Sequence, residues 1–344
     1  MCHLSVLDFV RAGLSLAEVG GRRVLEVGSR DVNGGVRPLL TSLGASAYVG
    51  VDKVAGPGVD RLCDVVDLAA EFGDDPFEVV VTTEMLEHVR DWRAAVANLK
   101  RVVAPGGLLV VTTRSYGFPY HEFPGDFWRY ELEDMRWIFR DFEILSLGPD
   151  SQAPGVFMKA RKPSVFQEAD LSGRKLFAVV KGEPAEPDGF TDEESTVYGE
   201  RATQLGEVGA AIRQAVLAVD LADIGKRDFR NLWRSAARLS DLVEEVTPGS
   251  RSRPLSARWR RGMERLRREA LERLTAARLA RGRSFGRARQ AILKSAAGST
   301  QDNALRVPWG RLEEARFREI LDAAERIRTV CLKVRSYSRP PGPG

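Results

Sequence analysis

The segment 24–35 reads VLEVGSRDVNGG in one-letter code and is the stretch that decides the fold. Its first four residues predict a buried strand, and Gly28 follows the end of that strand. A glycine at such a turn lets the backbone approach a ligand closely, because no Cβ stands in the way. Downstream, Tyr48–Asp52 and Val79–Thr83 predict two more strands, the first ending in an acid and the second followed by Glu84.

The order of these segments indicates an adenosine-containing ligand. An acid that ends the second strand can accept hydrogen bonds from both hydroxyls of a ribose. A dinucleotide loop would read G-x-G-x-x-G and hold a pyrophosphate, but here the glycines after Gly28 are Gly34 and Gly35. Glu26 would also repel a phosphate. A carboxylate at this position suits a ligand with an ammonium or sulfonium group.

On these residues the sequence resembles the class I S-adenosylmethionine-dependent methyltransferases, especially the branch with quinone-biosynthesis and natural-product enzymes. The resemblance covers about residues 20–160 and is completed by Glu87-His88-Val89 and the turn Ala104–Gly107. The usual first motif, E-x-G-x-G-x-G, is replaced by a longer loop that contains Arg30–Asn33. The alternative is a Rossmann-like domain that uses another cofactor or none.

The resemblance implies a set of residues that bind S-adenosyl-L-methionine. Glu26, Gly28 and Ser29 would lie beside its methionine part, Asp52 would bind the ribose, and Asp64 with Val65 would meet the adenine. Glu84 and Met85 match the turn after the fourth strand, alongside the cofactor. The complete expected set is Glu26, Gly28, Ser29, Asp31, Asn33, Asp52, Lys53, Asp64, Val65, Glu84 and Met85.

Strand candidates alternate with helices, which predicts an α/β fold with a doubly wound, mostly parallel sheet. The strands are expected at Arg23–Val27, Tyr48–Asp52, Val79–Thr83, Leu108–Thr113, Phe142–Leu147 and Val156–Arg161, with a further strand of unknown partner at Leu176–Lys181. The pair Phe142–Leu147 and Val156–Arg161 lacks an intervening helix and predicts a hairpin, which matches the antiparallel last strand of methyltransferase sheets. One helix is expected over residues 4–18, and another begins after Asp91 as its N-cap.

Beyond this sheet the pattern changes to amphipathic helices. Four apolar stripes at helical spacing, the first beginning at Leu205 and the last at Leu312, predict a helical bundle. We therefore expect a methyltransferase domain over residues 1–182, a linker over 183–199, a bundle-like domain over 200–337 and a disordered tail over 338–344.

The segment 114–130 is expected to shape the acceptor pocket, because ligands in this fold lie outside the carboxyl ends of the strands. It combines aromatic residues with a histidine, an aspartate and arginines. His121 is the candidate general base and Asp126 the residue that orients its ring. His88 is the second candidate. Phe123, Phe127, Trp128 and Tyr130 either line the pocket or pack the following helix on the sheet.

Composition limits the remaining function classes. The three cysteines are far apart and give neither a disulfide framework nor a metal-binding spacing, so no metal and a cytoplasmic location are expected. No apolar stretch is long enough to cross a bilayer. Residues 251–294 hold 15 Lys and Arg against three Asp and Glu, although the whole chain carries a net charge of +4.

The leading prediction is a methyltransferase acting on an oxygen, in preference to a nitrogen or carbon, of a small-molecule, glycan or lipid-linked acceptor. A nucleic-acid methyltransferase that uses the Arg-rich helices is the alternative, but the N/D-P-P-Y/F motif is missing after the fourth strand. A third possibility is a binding or assembly protein with a vestigial methyltransferase domain. The C-terminal helices are expected to form a homo-oligomer rather than to bind nucleic acid.

Overall fold

The computed structural model of the chain describes residues 4–32, 34–121, 125–218 and 312–337, with single positions between 231 and 245. The chain divides into two compact units, Met1–Thr191 and Asp192–Gly344.

The first unit is built on a seven-stranded sheet whose strands follow the predicted segments. They are β1 (Arg23–Val27), β2 (Ala47–Asp52), β3 (Arg61–Leu62), β4 (Phe77–Thr83), β5 (Val103–Arg114), β7 (Glu143–Pro149) and β8 (Gly155–Arg161). Their spatial order is β3-β2-β1-β4-β5-β8-β7. The first five strands in this order, β3, β2, β1, β4 and β5, are parallel to one another. Strand β8 is antiparallel to both of its neighbours, β5 and β7. The predicted Rossmann-like sheet with an antiparallel last strand is therefore confirmed.

Helices cover this sheet, and their apolar faces form its core. They are α1 (Leu4–Gly13), α2 (Leu16–Val19), α3 (Arg37–Ser42), α4 (Leu68–Phe72), α5 (Trp92–Val102) and α6 (Leu132–Ile138). Val10 of α1 and Leu40 of α3 pack with Val24 and Val79 from the strands. The Asp91 side chain accepts a hydrogen bond from Ala94 N at 3.0 Å, as its predicted N-cap role requires.

The prediction of a single helix over residues 4–18 is wrong in one respect. The structure has two helices there, α1 and α2. Ser15 starts the second helix with a capping box, in which its backbone N–H donates to Glu18 Oε2 at 3.0 Å. A Ser-x-x-Glu capping box stabilises a new helix start. The apolar spacing continues across this break, which is why periodicity alone merged the two helices.

The strand order reverses between β1 and β4, because β1 pairs with β2 on one side and β4 on the other. Chain connections leave this point in opposite directions, which opens a crevice at the carboxyl ends of the strands. The glycine-bearing loop after β1 and the turn after β4 both lie at this crevice.

A second, three-stranded sheet follows the main one. It is formed by β6 (Trp128–Arg129), β9 (Leu176–Ala178) and β10 (Glu183–Ala185), with β9 in the middle. The strand expected at Leu176–Lys181 thus has partners, although it is shorter than expected. β10 and the start of α7 at Asp192 fall within the 183–199 range that we expected to be a linker.

The second unit contains α7 (Asp192–Ala218) and α8 (Glu314–Tyr337), which pack against each other. α8 carries the fourth predicted stripe, of which Ile320, Ala324 and Ile327 are buried. Arg201 of α7 forms an ion pair with Glu314 at 2.9 Å. The third stripe, the Arg-rich segment 251–294 and the expected tail over 338–344 lie outside the described residues. Among the helices that the structure describes, none combines the length and apolar character needed to cross a membrane.

Candidate active site

A cavity of about 680 Å³ lies at the carboxyl ends of the parallel strands. It collects nearly all of the site residues expected from the sequence. Those on its wall are Glu26, Gly28, Ser29, Asp31, Asp52, Lys53, Asp64, Val65, Glu84, Met85, His88 and His121. Asp126 is not on the wall but contacts His121 from behind, and Asn33 lies outside the described residues.

Gly28 occupies a position that other residues cannot take. Its φ is +80°, and a Cβ built on it would lie 2.7 Å from Met85 Cγ. Its N–H donates to the carbonyl oxygen of Val51 at 2.9 Å, which ties the loop after β1 to β2. The hydroxyl of the next residue, Ser29, is buried and has no hydrogen-bond partner among the described residues. Buried polar atoms are normally paired, so this hydroxyl on the cavity wall is available to a ligand.

Glu26 is a buried carboxylate at the base of the same loop. Its Oε2 accepts a hydrogen bond from the Tyr48 hydroxyl at 2.6 Å. Burial raises the pKa of Glu26 to about 7, against the opposing effects of Tyr48 and Arg37. The charged form of Glu26 therefore needs a cationic partner in order to be fully populated at neutral pH.

Backbone amides fix two further acids on the wall. Asp52 accepts from Val54 N at 2.9 Å and from Arg30 N at 3.3 Å. Asp64 accepts from Val66 N at 3.3 Å and so caps the 3₁₀ turn that follows it. Both carboxylates are thus held in place by their own loops, at the ends of β2 and β3.

Glu84 has the unusual backbone conformation of the turn after β4. Its φ is +54°, which is uncommon for a residue with a Cβ and persists when the surrounding structure holds it. Its carboxylate accepts from Thr112 Oγ1 at 2.9 Å and pairs with Arg114, a fully buried guanidinium that also contacts Asp150. Burial and the neighbouring Glu87 raise the pKa of Glu84, while Arg114 opposes them.

His121 is held by a buried carboxylate, as the sequence predicts. Its Nδ1 lies 3.0 Å from Asp126 Oδ2, and Asp126 is held in turn by Arg129 at 2.7 Å. Burial alone would lower the pKa of His121, but Asp126 and Glu87 outweigh it and raise the pKa to about 9. In this state His121 carries a positive charge at neutral pH.

His88 lies directly beside His121, with ring centroids 4.7 Å apart in an edge-on arrangement. Its Nδ1 is 2.5 Å from the carbonyl oxygen of Gly125. Burial lowers the pKa of His88, so that its ring is neutral.

Glu87 lies between the two histidines and was not among the site residues expected from the sequence, although it belongs to the motif Glu87-His88-Val89. Its side chain is fully buried, and Oε2 accepts from Thr113 Oγ1 at 2.9 Å. Oε1 lies 3.7 Å from His121 Nε2 and 4.0 Å from His88 Nε2. Burial would raise the pKa of Glu87, but the histidines bring it down to about 2. An acid next to a histidine in an otherwise apolar segment was the signal for this cluster.

The aromatic residues of the 114–130 segment divide between packing and the cavity. Trp128 and Tyr130 are completely buried, whereas Phe127 lines the cavity. Phe127 is stacked on Phe190 with ring centroids 6.0 Å apart. Phe123 lies outside the described residues.

Part of the chain is similar to known methyltransferases. Residues 7–147 match a family model described as a methyltransferase domain. The ubiquinone biosynthesis O-methyltransferase of Chromobacterium violaceum is 35% identical over 121 residues, which cover 31% of this chain and 49% of that protein. The chain thus spans about half the length of this curated relative.

Two solved structures match part of the chain at low similarity. A Burkholderia thailandensis 1,6-didemethyltoxoflavin-N1-methyltransferase is 16% identical and covers 46% of this chain and 78% of its own, with a TM-score of 0.35. The N-methyltransferase NodS of Bradyrhizobium japonicum is 15% identical, covering 45% and 93%, also with a TM-score of 0.35.

The family match and the fold define the N-terminal part of the chain. Residues 7–147 match the methyltransferase domain model, and the sheet that carries them has the antiparallel strand typical of the class I methyltransferase fold. S-adenosylmethionine is the cofactor of this class.

Proposed function

We propose that the protein transfers a methyl group from S-adenosylmethionine to an oxygen of a small-molecule, glycan or lipid-linked acceptor. The observation that carries the proposal is one cavity with two differently built ends. One end holds Gly28 and the acids Glu26, Asp52 and Asp64, and the other holds His88 and His121 over the buried Glu87. The similarity to an O-methyltransferase supports oxygen as the acceptor atom.

The residues at the first end fit the cofactor. Gly28 packs so closely against Met85 on the cavity wall that a Cβ would collide with it, and the Ser29 hydroxyl beside it is an unpaired buried group among the described residues. We place the methionine part against Glu26, Gly28 and Ser29, the ribose hydroxyls on Asp52, and the adenine at Asp64 and Val65. Lys53, Glu84 and Met85 complete this wall, with Asp31 at its rim.

When bound, this cofactor supplies a methyl group that its positively charged sulfur already activates. The protein then has to align the acceptor oxygen, exclude water and let the hydroxyl proton leave. Phe127 and Val89 provide apolar wall for an acceptor, and the histidine pair is the polar group beside them. Because His121 is positively charged at neutral pH, it can act as the expected general base only in its neutral form, and its charged form can hold the acceptor oxygen by a hydrogen bond. The neutral ring of His88 can accept the hydroxyl proton directly, and Asp126 positions His121.

Labelled S-adenosylmethionine tests this function directly. The purified chain is incubated with the labelled cofactor and a lysate separated into small-molecule, glycan, lipid and RNA fractions. Label in the small-molecule, glycan or lipid fraction as a methyl ether or ester supports the proposal. Label in RNA would favour the nucleic-acid methyltransferase, and a protein that binds the cofactor but labels no fraction would favour a binding protein.

Glu26 gives cofactor affinity a defined pH dependence. Because its pKa is about 7 in the free protein, raising the pH converts it to the carboxylate that attracts the cationic methionine part. If the carboxylate alone binds, affinity increases about tenfold from pH 6 to pH 8, and binding releases a proton below pH 7. Calorimetric titrations at the two pH values measure this change. Glu26→Gln is the control, and a pH dependence that survives in this variant would contradict the role of Glu26.

We further propose that the second unit serves self-association. The packing of α7 on α8 and the ion pair of Arg201 with Glu314 support a helical module built by side-chain packing. Removal of residues 192–344 is then expected to reduce the assembly to a monomer in light scattering. A full-length monomer that binds mixed RNA tightly, with an affinity that falls steeply with salt, would favour nucleic-acid binding instead.

A further inference from the structure

We propose that Glu87, His88 and His121 bind one divalent transition-metal ion, such as Zn²⁺, at the acceptor end of the cavity. Donor atoms of the three side chains lie within 4.8 Å of one another. The two histidines lie on the cavity wall and Glu87 is buried behind them. This proposal adds a metal site to the proposed methyltransferase function.

The hydrogen bonds of the two imidazoles engage their Nδ1 atoms and leave the Nε2 atoms for a metal ion. Nε2 of neutral His88 already carries an electron pair, and Nε2 of His121 does so once its proton is displaced. A carbonyl oxygen cannot donate a hydrogen, so the 2.5 Å contact with Gly125 O assigns the hydrogen of neutral His88 to Nδ1. The 3.0 Å contact with Asp126 assigns a hydrogen to Nδ1 of His121 in the same way. The Nε2 atoms of both rings then turn towards the same carboxylate oxygen, at 4.0 and 3.7 Å.

That carboxylate oxygen is itself unsatisfied. Glu87 Oε1 is buried without a hydrogen-bond partner in the described part of the chain, whereas Oε2 is bound by Thr113. Asp126 is balanced by Arg129 at 2.7 Å, so Glu87 is the acid in this cluster that needs another positive charge. A proton on His121 supplies one charge, and a divalent ion that displaces this proton supplies two.

The geometry lies close to that of a bound ion. Zinc bonds of about 2.0–2.2 Å place tetrahedral ligand atoms about 3.3 Å apart. The separations from Glu87 Oε1 are 3.7 and 4.0 Å, and all three donor atoms lie within 4.8 Å of one another. The side chains therefore need to move together by no more than about 1.5 Å to bind an ion. Metal-binding histidines typically donate their other N–H to a carboxylate or a backbone carbonyl, which are the groups that Asp126 and Gly125 provide.

The ligand set also indicates which ion binds and how. Two imidazoles with one carboxylate suit Zn²⁺ and related transition metals, whereas Mg²⁺ prefers oxygen ligands. Three protein ligands with an open position is the arrangement of catalytic zinc sites. Given the proposed function, the open position faces the cavity, where the acceptor hydroxyl would bind and have its pKa lowered. No metal was expected from the sequence, because Glu87 and His88 are distant from His121 in the chain.

Direct metal binding tests the site without any acceptor. The full chain is stripped with a chelator, dialysed and titrated calorimetrically with Zn²⁺, and Co²⁺ is added separately to record its visible absorption. We expect one equivalent of Zn²⁺ per chain and a Co²⁺ spectrum typical of nitrogen and oxygen ligands. His88→Ala and His121→Ala should each weaken Zn²⁺ binding by at least a hundredfold, since each removes one of three protein ligands. His3→Ala, which changes the remaining histidine of the chain, should bind normally.

S-adenosylmethionine affinity is measured on the same samples to show that each variant is folded. His88→Gln and His121→Gln replace the alanine variants if either of those fails this check. Absence of stoichiometric Zn²⁺ binding by a chain that binds the cofactor would overturn the metal site and leave the methyltransferase function intact. Binding that survives in the double variant would place the ion elsewhere and would also refute the proposal. Conversely, stoichiometric binding that needs both histidines supports the site even if no acceptor is ever methylated.

Discussion

Replacing Asp52 with alanine is expected to weaken S-adenosylmethionine binding by about a hundredfold. The carboxylate is fixed at the end of β2 by Val54 N and Arg30 N, and we propose that it accepts both ribose hydroxyls. Hydrogen bonds to a charged acceptor are worth roughly 1.5–3 kcal/mol each, so losing two costs at least about 3 kcal/mol. Every 1.4 kcal/mol is about a tenfold change in affinity. Calorimetric titration of the variant with the cofactor measures the loss.

A matched control separates the ribose contact from a general effect of charge. Asp74 is an exposed acid in the loop between α4 and β4 and is not on the cavity wall, so Asp74→Ala should bind the cofactor normally. Asp52→Asn keeps the size and one acceptor oxygen and should fall between alanine and the natural residue. If Asp52→Ala binds as tightly as the natural chain and keeps its thermal midpoint, the ribose lies elsewhere and the orientation of the cofactor is wrong.

The sequence predicts that the proposed cofactor residues lie together, and the structure places those that it describes on one cavity wall, because their positions depend on local features of the chain. These residues lie at or near the end of a strand: Glu26 and Gly28 flank the last residue of β1, and Asp52 is the last residue of β2. The strand pattern fixes which ends lie side by side in a parallel sheet, so nearness in space follows from order in the chain. The antiparallel placement of β8 followed from the missing helix before it.

The acceptor end could be predicted only in part, because it depends on contacts between distant segments. The sequence indicated His121 with Asp126, which are close in the chain, and ranked His88 as a competitor. The structure instead places the two rings 4.7 Å apart on either side of Glu87. A pattern of single residues does not report that a buried acid and two histidines converge.

Side-chain networks in the interior could also not be predicted from the sequence. Arg114 is 1% exposed and bridges Glu84 to Asp150, although an arginine at the end of a strand suggests a solvent-exposed position. The partners of β9 were likewise missed, since its pairing strands β6 and β10 have only two and three residues. Such short strands carry too few residues to show an alternating pattern.

Replacing His121 with alanine is expected to lower turnover at least a hundredfold while leaving S-adenosylmethionine affinity within a few-fold. Loss of a group that handles a proton in the transition state costs on the order of 10²–10⁴ in rate. His121 belongs to the 114–130 segment and contacts Asp126, Phe118 and His88, whereas the proposed ribose acid lies at the end of β2. The two effects are therefore separable by measuring kcat with the best labelled acceptor and the cofactor Kd by calorimetry.

Comparing kcat among the His121, Asp126 and His88 variants shows which of the two cavity histidines, His121 or His88, contributes more to turnover. His121→Ala and Asp126→Asn should both lower kcat, the second less, because Asp126 acts by holding the ring that alanine removes. His3→Ala serves as the histidine control and should keep its rate. Normal turnover in His121→Ala together with a large loss in His88→Ala would reverse the ranking of the two histidines. A common loss in both variants fits the geometry best, because both Nε2 atoms face Glu87 Oε1 and both rings lie on the wall of the same cavity.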